Sequence, residues 1–254
     1  MIYEYVVQRA GIEAVRVRNA VASFTELHET FTVCTVERGS PISYRCNGRT
    51  YTRSPRVGML VGPGDLHADV ASSERADYRI LRIAPEALAS TSLVVAEHEI
   101  TSATTNDAFL ALHLALERGA DGATIQRSLD ACIGEIVPRC TMPPARRAER
   151  KEVRRAREYI DENSSDPITL DEVAASAGMG KWGFITLFRR QVGVPPHQYL
   201  VQKRLARARS LLATGRPCGE VAFDVGFFDQ SHLNRWFRRA YGITPGEYQR
   251  SLRT

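Results

Sequence analysis

Cysteine is sparse and unpatterned in this chain. The five present, Cys34, Cys46, Cys132, Cys140 and Cys218, are odd in number and nowhere form a Cys-x-x-Cys pair. That argues against a disulfide framework and against a zinc ribbon, and leaves reduced thiols as the expected state. A secretion leader is not expected either, because residues 1–10 lack a basic start running into an apolar core. No apolar run approaches the length needed to cross a bilayer. The expected compartment is the cytoplasm, with no membrane partner.

What is present is 254 residues, 43% hydrophobic and 25% charged, enough for two modest cores. The charge is unevenly placed. From Ala145 onward 20 Lys and Arg face 12 Asp and Glu, which leaves 14 against 17 before it, so a part at +8 follows a part at −3. A basic module joined to a mildly acidic one fits two different partners, the basic one favouring phosphate-rich polymers; a plain solvated basic face gives the same balance.

From residue 15 to about 82 the reading is strand-rich. Runs such as residues 31–36 and 42–46 are separated by turn residues, and Asn47-Gly48 between β-favouring flanks predicts a two-residue hairpin. The regular spacing predicts a small antiparallel barrel or double sheet, a fold that can hold a small ligand in its mouth. His28, Tyr44 and His67 are the pocket candidates here, and a histidine hydrogen-bonded at a strand or loop end is the alternative. A metal-dependent barrel needs several His and carboxylate ligands, typically with a His-x-His pair, and no such pair occurs. No metal and no cofactor are therefore expected.

Beyond Pro85 the pattern becomes helical. Residues 104–118 place Phe109, Leu112 and Leu116 at helical spacing, and residues 124–137 do the same with Ile125, Leu129, Cys132, Ile133 and Ile136. The second stripe packs on its own domain or forms a subunit interface. Pro143 and Pro144 break the helix, so 1–142, a linker at 143–147 and 148–254 are the expected divisions.

The C-terminal division carries a pattern written twice. Val173, Ala174 and Gly178 match Val221, Ala222 and Gly226 at an offset of 48; then Phe188, Arg189, Arg190, Gly193, Pro196 and Tyr199 match Phe237, Arg238, Arg239, Gly242, Pro245 and Tyr248 at 49. Each copy reads as a short helix, a Gly turn and a basic second helix, the sequence form of a helix-turn-helix. In the first copy Thr169 and Glu172 form a capping box, and Phe184, Leu187 and Phe188 fix the buried face. Lys181, Trp182, Ile185, Thr186 and Arg189 are left outward. In the second, Asp229 caps the helix, Leu233, Trp236 and Phe237 are the expected buried triplet, and Gln230, Ser231, Asn234, Arg235 and Arg238 face out. Arg suits guanine, and Gln or Asn suits adenine, in the major groove of double-stranded DNA. One continuous helix from Pro196 to about Ala213 joins the copies and, at about 27 Å, is a strut suited to two adjacent grooves.

At residues 170–179, at 187–190 with Gly193, and from 221–227 through 237–239 to 242–248, the chain resembles the AraC/XylS family of bacterial transcription regulators. Residues 37–39, 44–51 and 62–67 are similar to that family's cupin-like sensor. The resemblance implies an α+β chain of two domains: a cupin-like antiparallel β-barrel with following helices, then an all-α domain of two helix-turn-helix motifs joined by a long helix. It implies DNA reading by Trp182, Ile185, Thr186, Arg189, Gln230, Ser231, Asn234 and Arg235, and dimerisation through the N-terminal domain. Gly180, Pro195 and Cys218 depart from the family's usual Ser or Thr at helix starts. The function expected is a non-enzymatic promoter-DNA-binding regulator, an activator that contacts RNA polymerase under control of a small-molecule effector. The alternatives are a repressor or effector-independent regulator, and a cupin-type metalloenzyme fused to a DNA-binding domain.

Overall fold

A computed structural model describes the chain except residues 1, 10, 22–24, 47–48, 56, 71–73, 89–92, 142–149 and 253–254, and gives residues 2–9 as backbone only. Two compact units emerge, drawn mainly from Met1–Pro143 and Pro144–Gln249. The Asn47-Gly48 turn and the 143–147 linker lie outside the described residues.

The first unit begins with β1 (Ile2–Arg9), β2 (Ile12–Val21), β3 (Thr25–Leu27), β4 (Phe31–Gly39), β5 (Ile42–Cys46), β6 (Arg49–Arg53), β7 (Gly58–Val61), β8 (Leu66–Asp69) and β9 (Arg75–Ile83). The short strands β10 (Val94–Val95) and β11 (Glu99–Ile100), helices α1 (Ala103–Glu117) and α2 (Gly122–Ile136), and β12 (Cys140–Thr141) follow. A six-stranded sheet has the order β1-β2-β9-β4-β7-β11, a four-stranded sheet the order β3-β8-β5-β6, and β10 pairs with β12. Each described strand pairing is antiparallel. The strand-rich region starts earlier than the sequence reading placed it, since β1 pairs along β2 from Ile2↔Arg18 to Arg9↔Ile12. Cys46 pairs with Arg49, which leaves two residues between β5 and β6.

Strand alternation divides the six-stranded sheet into two chemically distinct faces. Ile12, Ala14, Phe31, Val33, Leu81 and Ile83 share one core with Phe109, Leu112, Leu116, Ile125, Leu129, Cys132 and Ile136 of α1 and α2. The apolar stripe of α2 is thus spent inside its own unit. On the same face Arg79 donates to Glu37, Glu117 and the Nδ1 of His113 (2.6, 2.9 and 2.9 Å), while His113 Nε2 reaches the Val15 carbonyl at 3.1 Å. A guanidinium only donates, so His113 accepts at Nδ1 and carries its proton on Nε2.

The other face is also buried, and carries charged side chains among its apolar ones. There Arg82 pairs with Glu13 at 3.0 Å and with Glu26 of the four-stranded sheet at 3.4 Å, and within the four-stranded sheet Arg53 pairs with Asp69 at 2.8 Å. Arg53 also lies over the rings of Tyr44 and Tyr78. Burial alone raises the Asp69 carboxyl, but the Arg53 guanidinium and the His67 ring outweigh it and hold the group below the usual carboxylate range.

The second unit is helical: α3 (Lys151–Asn163), α4 (Leu170–Ser176), α5 (Lys181–Val192), α6 (Pro196–Ala213), α7 (Cys218–Asp224), α8 (Gln230–Tyr241) and α9 (Pro245–Ser251). On α3, Val153, Ala156 and Ile160 are buried as the periodicity requires, and Tyr159 is half-buried. Arg157 packs over the Tyr199 ring and donates to its hydroxyl at 3.3 Å. The 18-residue α6 buries Val201, Gln202 and Ala206 as well as Tyr199, Leu200, Leu205, Ala208 and Leu212. It touches α3, α5, α7 and α8, so most of its circumference is covered.

Candidate nucleic-acid interface

Each helix-turn-helix is built from a short helix, a left-handed glycine and a longer basic helix. Thr169 Oγ1 accepts from the Glu172 amide at 3.2 Å while Glu172 accepts from the Thr169 amide at 2.6 Å, closing the capping box at the start of α4. Gly178 (φ 67°) then turns the chain into α5, and Gly226 (φ 86°) turns it from α7 into α8. The second turn is tighter: a Cβ on Gly226 would stand 2.7 Å from the Ser165 carbonyl oxygen, whereas one on Gly178 meets nothing within 4 Å. Arg204 explains the crowding, since it reaches from α6 to the carbonyls of Ser164 and Asp166 at 2.7 Å each and draws that loop against the turn.

The two longer helices end alike. Gly193 and Gly242 are both left-handed, and their amides donate to the Arg189 and Arg238 carbonyls. Phe184, Leu187 and Phe188 of α5 are buried, as are Leu233 and Phe237 of α8. Full burial stabilises each of these side chains by about 1.5–3 kcal/mol and fixes the helix's rotation about its axis. Trp236 departs from the expected triplet: it is half-buried, its indole donates to His232 Nε2 at 3.0 Å, and Arg239 lies over its ring at 5.5 Å. An indole is too large to repeat the fit of Leu187, and its N–H finds a partner at the surface.

The faces turned away from the core are those the spacing predicts. Trp182, Thr186 and Arg189 are exposed on α5, and Lys181 and Ile185 are half-buried. On α8, Gln230, Ser231, Arg235 and Arg238 are exposed and Asn234 is half-buried. Trp182 stands 80% exposed, a large apolar surface without cover within its unit. Lys181 pairs with Asp171 at 2.9 Å, and Thr186 donates to the Trp182 carbonyl at 3.1 Å.

Helix starts separate the copies. Asp229 accepts from the His232 amide at 2.6 Å, whereas Gly180 supplies no side-chain cap to α5 and Pro195 none to α6. Cys218 is the first residue of α7, so its cap position is Pro217, one residue earlier than the sequence reading placed it. Sequence reasoning passed over two exposed aromatics beside the second motif, Phe223 and Phe228. Helical spacing alone marks Phe223, and nothing local marks Phe228.

In the first unit the three pocket candidates come together. His28, Tyr44 and His67 are all buried; His28 Nε2 lies 2.7 Å from His67 Nδ1, and the Tyr44 and His67 rings meet edge-on at 6.2 Å. Each is engaged with neighbours: His28 with Thr32 at 3.0 Å, His67 with Asp69 at 3.5 Å, and Tyr44 with the His98 carbonyl at 2.9 Å. Burial raises the Tyr44 hydroxyl far above its ordinary pKa, so it acts here as a donor.

A chain whose second unit is two helix-turn-helix motifs on a shared helix, preceded by an antiparallel sheet unit, is a DNA-binding transcriptional regulator. The AraC-like ligand binding domain matches residues 9–138, about half of the chain, and the Helix-turn-helix domain matches residues 173–251. The chain belongs to the AraC family. It is 31% identical over 140 residues to the probable transcriptional regulator LumQ of Photobacterium leiognathi, covering 54% of this chain and 56% of LumQ. It is 35% identical over 96 residues to the regulatory protein SoxS of Salmonella typhimurium, covering 37% of this chain and 90% of SoxS. ToxT of Vibrio cholerae shares the fold at a TM-score of 0.61 and 12% identity, over 95% of this chain and 97% of ToxT. Among the described residues no helix is long and apolar enough to cross a membrane.

Proposed function

We propose that the chain is a cytoplasmic, non-enzymatic activator that reads two adjacent major grooves of a promoter through α5 and α8 and contacts RNA polymerase. A small molecule bound by the N-terminal unit controls it. The observation that carries the reading is the pair of helices that end alike in a left-handed glycine, each held by buried aromatic and aliphatic side chains and each presenting exposed arginine on its outward face. Lys181, Trp182, Ile185, Thr186 and Arg189 give the first contact surface and Gln230, Ser231, Asn234, Arg235 and Arg238 the second. The first offers shape and contacts with thymine methyl groups; the second offers Arg and amide groups that pair bidentately with guanine and adenine. The protein acts as a homodimer through its N-terminal unit. Because the α2 stripe is buried in its own core, any contact through α2 uses the opposite, polar face.

The effector reading is tested by screening metabolites for a rise in thermal stability and measuring promoter binding and transcription in vitro with and without each hit. A hit that raises transcription from a site beside the polymerase position supports it. Transcription that falls on binding, or binding and output that no hit changes, replaces it with a repressor or an effector-independent regulator.

A further inference from the structure

We propose that Cys46, Asp65 and His98 form a binding site for one zinc(II)-class divalent cation inside the N-terminal unit. A sulfur, a carboxylate oxygen and an imidazole nitrogen, one from each residue, all lie within 4.8 Å of one another. Donors about 2.0–2.3 Å from a tetrahedral zinc stand about 3.3–3.8 Å apart, so closing on the ion takes about 1 Å of side-chain movement.

Sheet pairing assembles the three from distant parts of the chain. Cys46 ends β5 and pairs with His67 on β8; Asp65 sits in the turn before β8; His98 immediately precedes β11, which pairs with β7. Tyr44, on the same inward face of β5 as Cys46, ties the region together by donating to the His98 carbonyl at 2.9 Å. Asp65 and His98 are held before any ion arrives. The Asp65 carboxylate accepts from the Gly62 amide at 2.8 Å, and the Asp65 carbonyl accepts from the His28 amide at 2.9 Å. The His98 carbonyl also accepts from the Leu60 amide at 3.0 Å, and Tyr51 packs on the His98 ring at 5.2 Å. His98 Nδ1 stands 3.0 Å from the Leu60 carbonyl and 4.0 Å from Asp65 Oδ2. With Nδ1–H donating to the Leu60 carbonyl, Nε2 keeps the lone pair an ion would take, and that hydrogen bond orients the imidazole.

The donor set selects the class of ion. A thiolate disfavours magnesium and calcium, which take oxygen, and the mixed sulfur, nitrogen and oxygen set suits zinc. Three protein donors leave a fourth position for water or for the donor atom of a small molecule. The three donors belong to the first unit and the DNA-reading residues to the second, so failure of the site would leave that reading intact.

The test uses the 254-residue chain stripped with a chelator and titrated with cobalt(II), then with zinc(II). The expected result is a thiolate-to-cobalt absorption that saturates at one equivalent and is bleached by one equivalent of zinc. Cys46→Ser abolishes the band, Cys34→Ala retains it, and His98→Ala weakens zinc binding about tenfold or more. No thiolate band in the unsubstituted chain, which needs no variant to fold, overturns the proposal. So does a band that survives Cys46→Ser.

Discussion

At the scale of single residues, two glycines in equivalent turns do different work. Gly178 is left-handed in open space, so Gly178→Ala pays only for the backbone conformation, about 1–2 kcal/mol. Gly226 is left-handed against the Ser165 carbonyl and the Arg204 side chain, so Gly226→Ala adds an overpacking cost of about 1–3 kcal/mol. Urea unfolding followed by tryptophan fluorescence checks the ranking, because Trp182 and Trp236 are the only tryptophans and both report on the second unit. Equal losses would contradict it. His113 makes a separate prediction for the first unit. Burial first, and the Arg79 guanidinium with it, hold this histidine down at about 4, while the Val15 carbonyl works the other way. In the unfolded chain the group takes a proton near pH 6.5, so its contribution is complete above that value and is lost as pH falls towards 4. The gap is worth about 3 kcal/mol at most. Calorimetry between pH 7 and 4.5 is predicted to show the first unit's melting temperature falling, and His113→Gln to flatten that slope.

At the scale of elements, the two recognition helices share a C-terminal design and differ at the N-terminus. Asp229→Ala is predicted to cost about 1 kcal/mol, while Gly180→Ser adds a few tenths of a kcal/mol to α5. Hydrogen exchange in the first turn of each helix reads both effects, and faster first-turn exchange in α8 than in α5 of the unsubstituted chain would contradict the asymmetry. The helices were legible in the sequence because their signals are local: a capping box, a glycine at the turn, apolar residues three and four apart. Trp236 was misplaced because spacing fixes direction but not whether a side chain fits. The strands of the first unit were legible as strands, yet apart from the two-residue connection of β5 and β6 their pairing was not. Nothing local says that Cys46 lies opposite His67, or that Arg53, which reads as a surface residue at a strand end, is buried against Asp69. The Cys46, Asp65 and His98 cluster is hidden in the sequence for the same reason: it contains no His-x-His pair, and its donors are brought together by sheet register.

At the scale of the whole molecule, a basic helical unit follows a mildly acidic sheet unit, and the separation of charge implies separate partners. Cutting within residues 143–147 is predicted to leave a 148–254 fragment that folds and binds the promoter with no response to effector. An unfolded fragment in circular dichroism would place the boundary elsewhere. The central claim is that one chain reads two successive major grooves through unequal faces. Methylation interference on the promoter, with the full-length chain and with Arg235→Ala and Arg189→Ala, tests it most directly. The account predicts two zones of interference about 10 base pairs apart per chain, with Arg235→Ala removing one of them at a cost of about 1–3 kcal/mol and Arg189→Ala weakening only the other. A single zone per chain, or equal loss at both zones from either substitution, would contradict it.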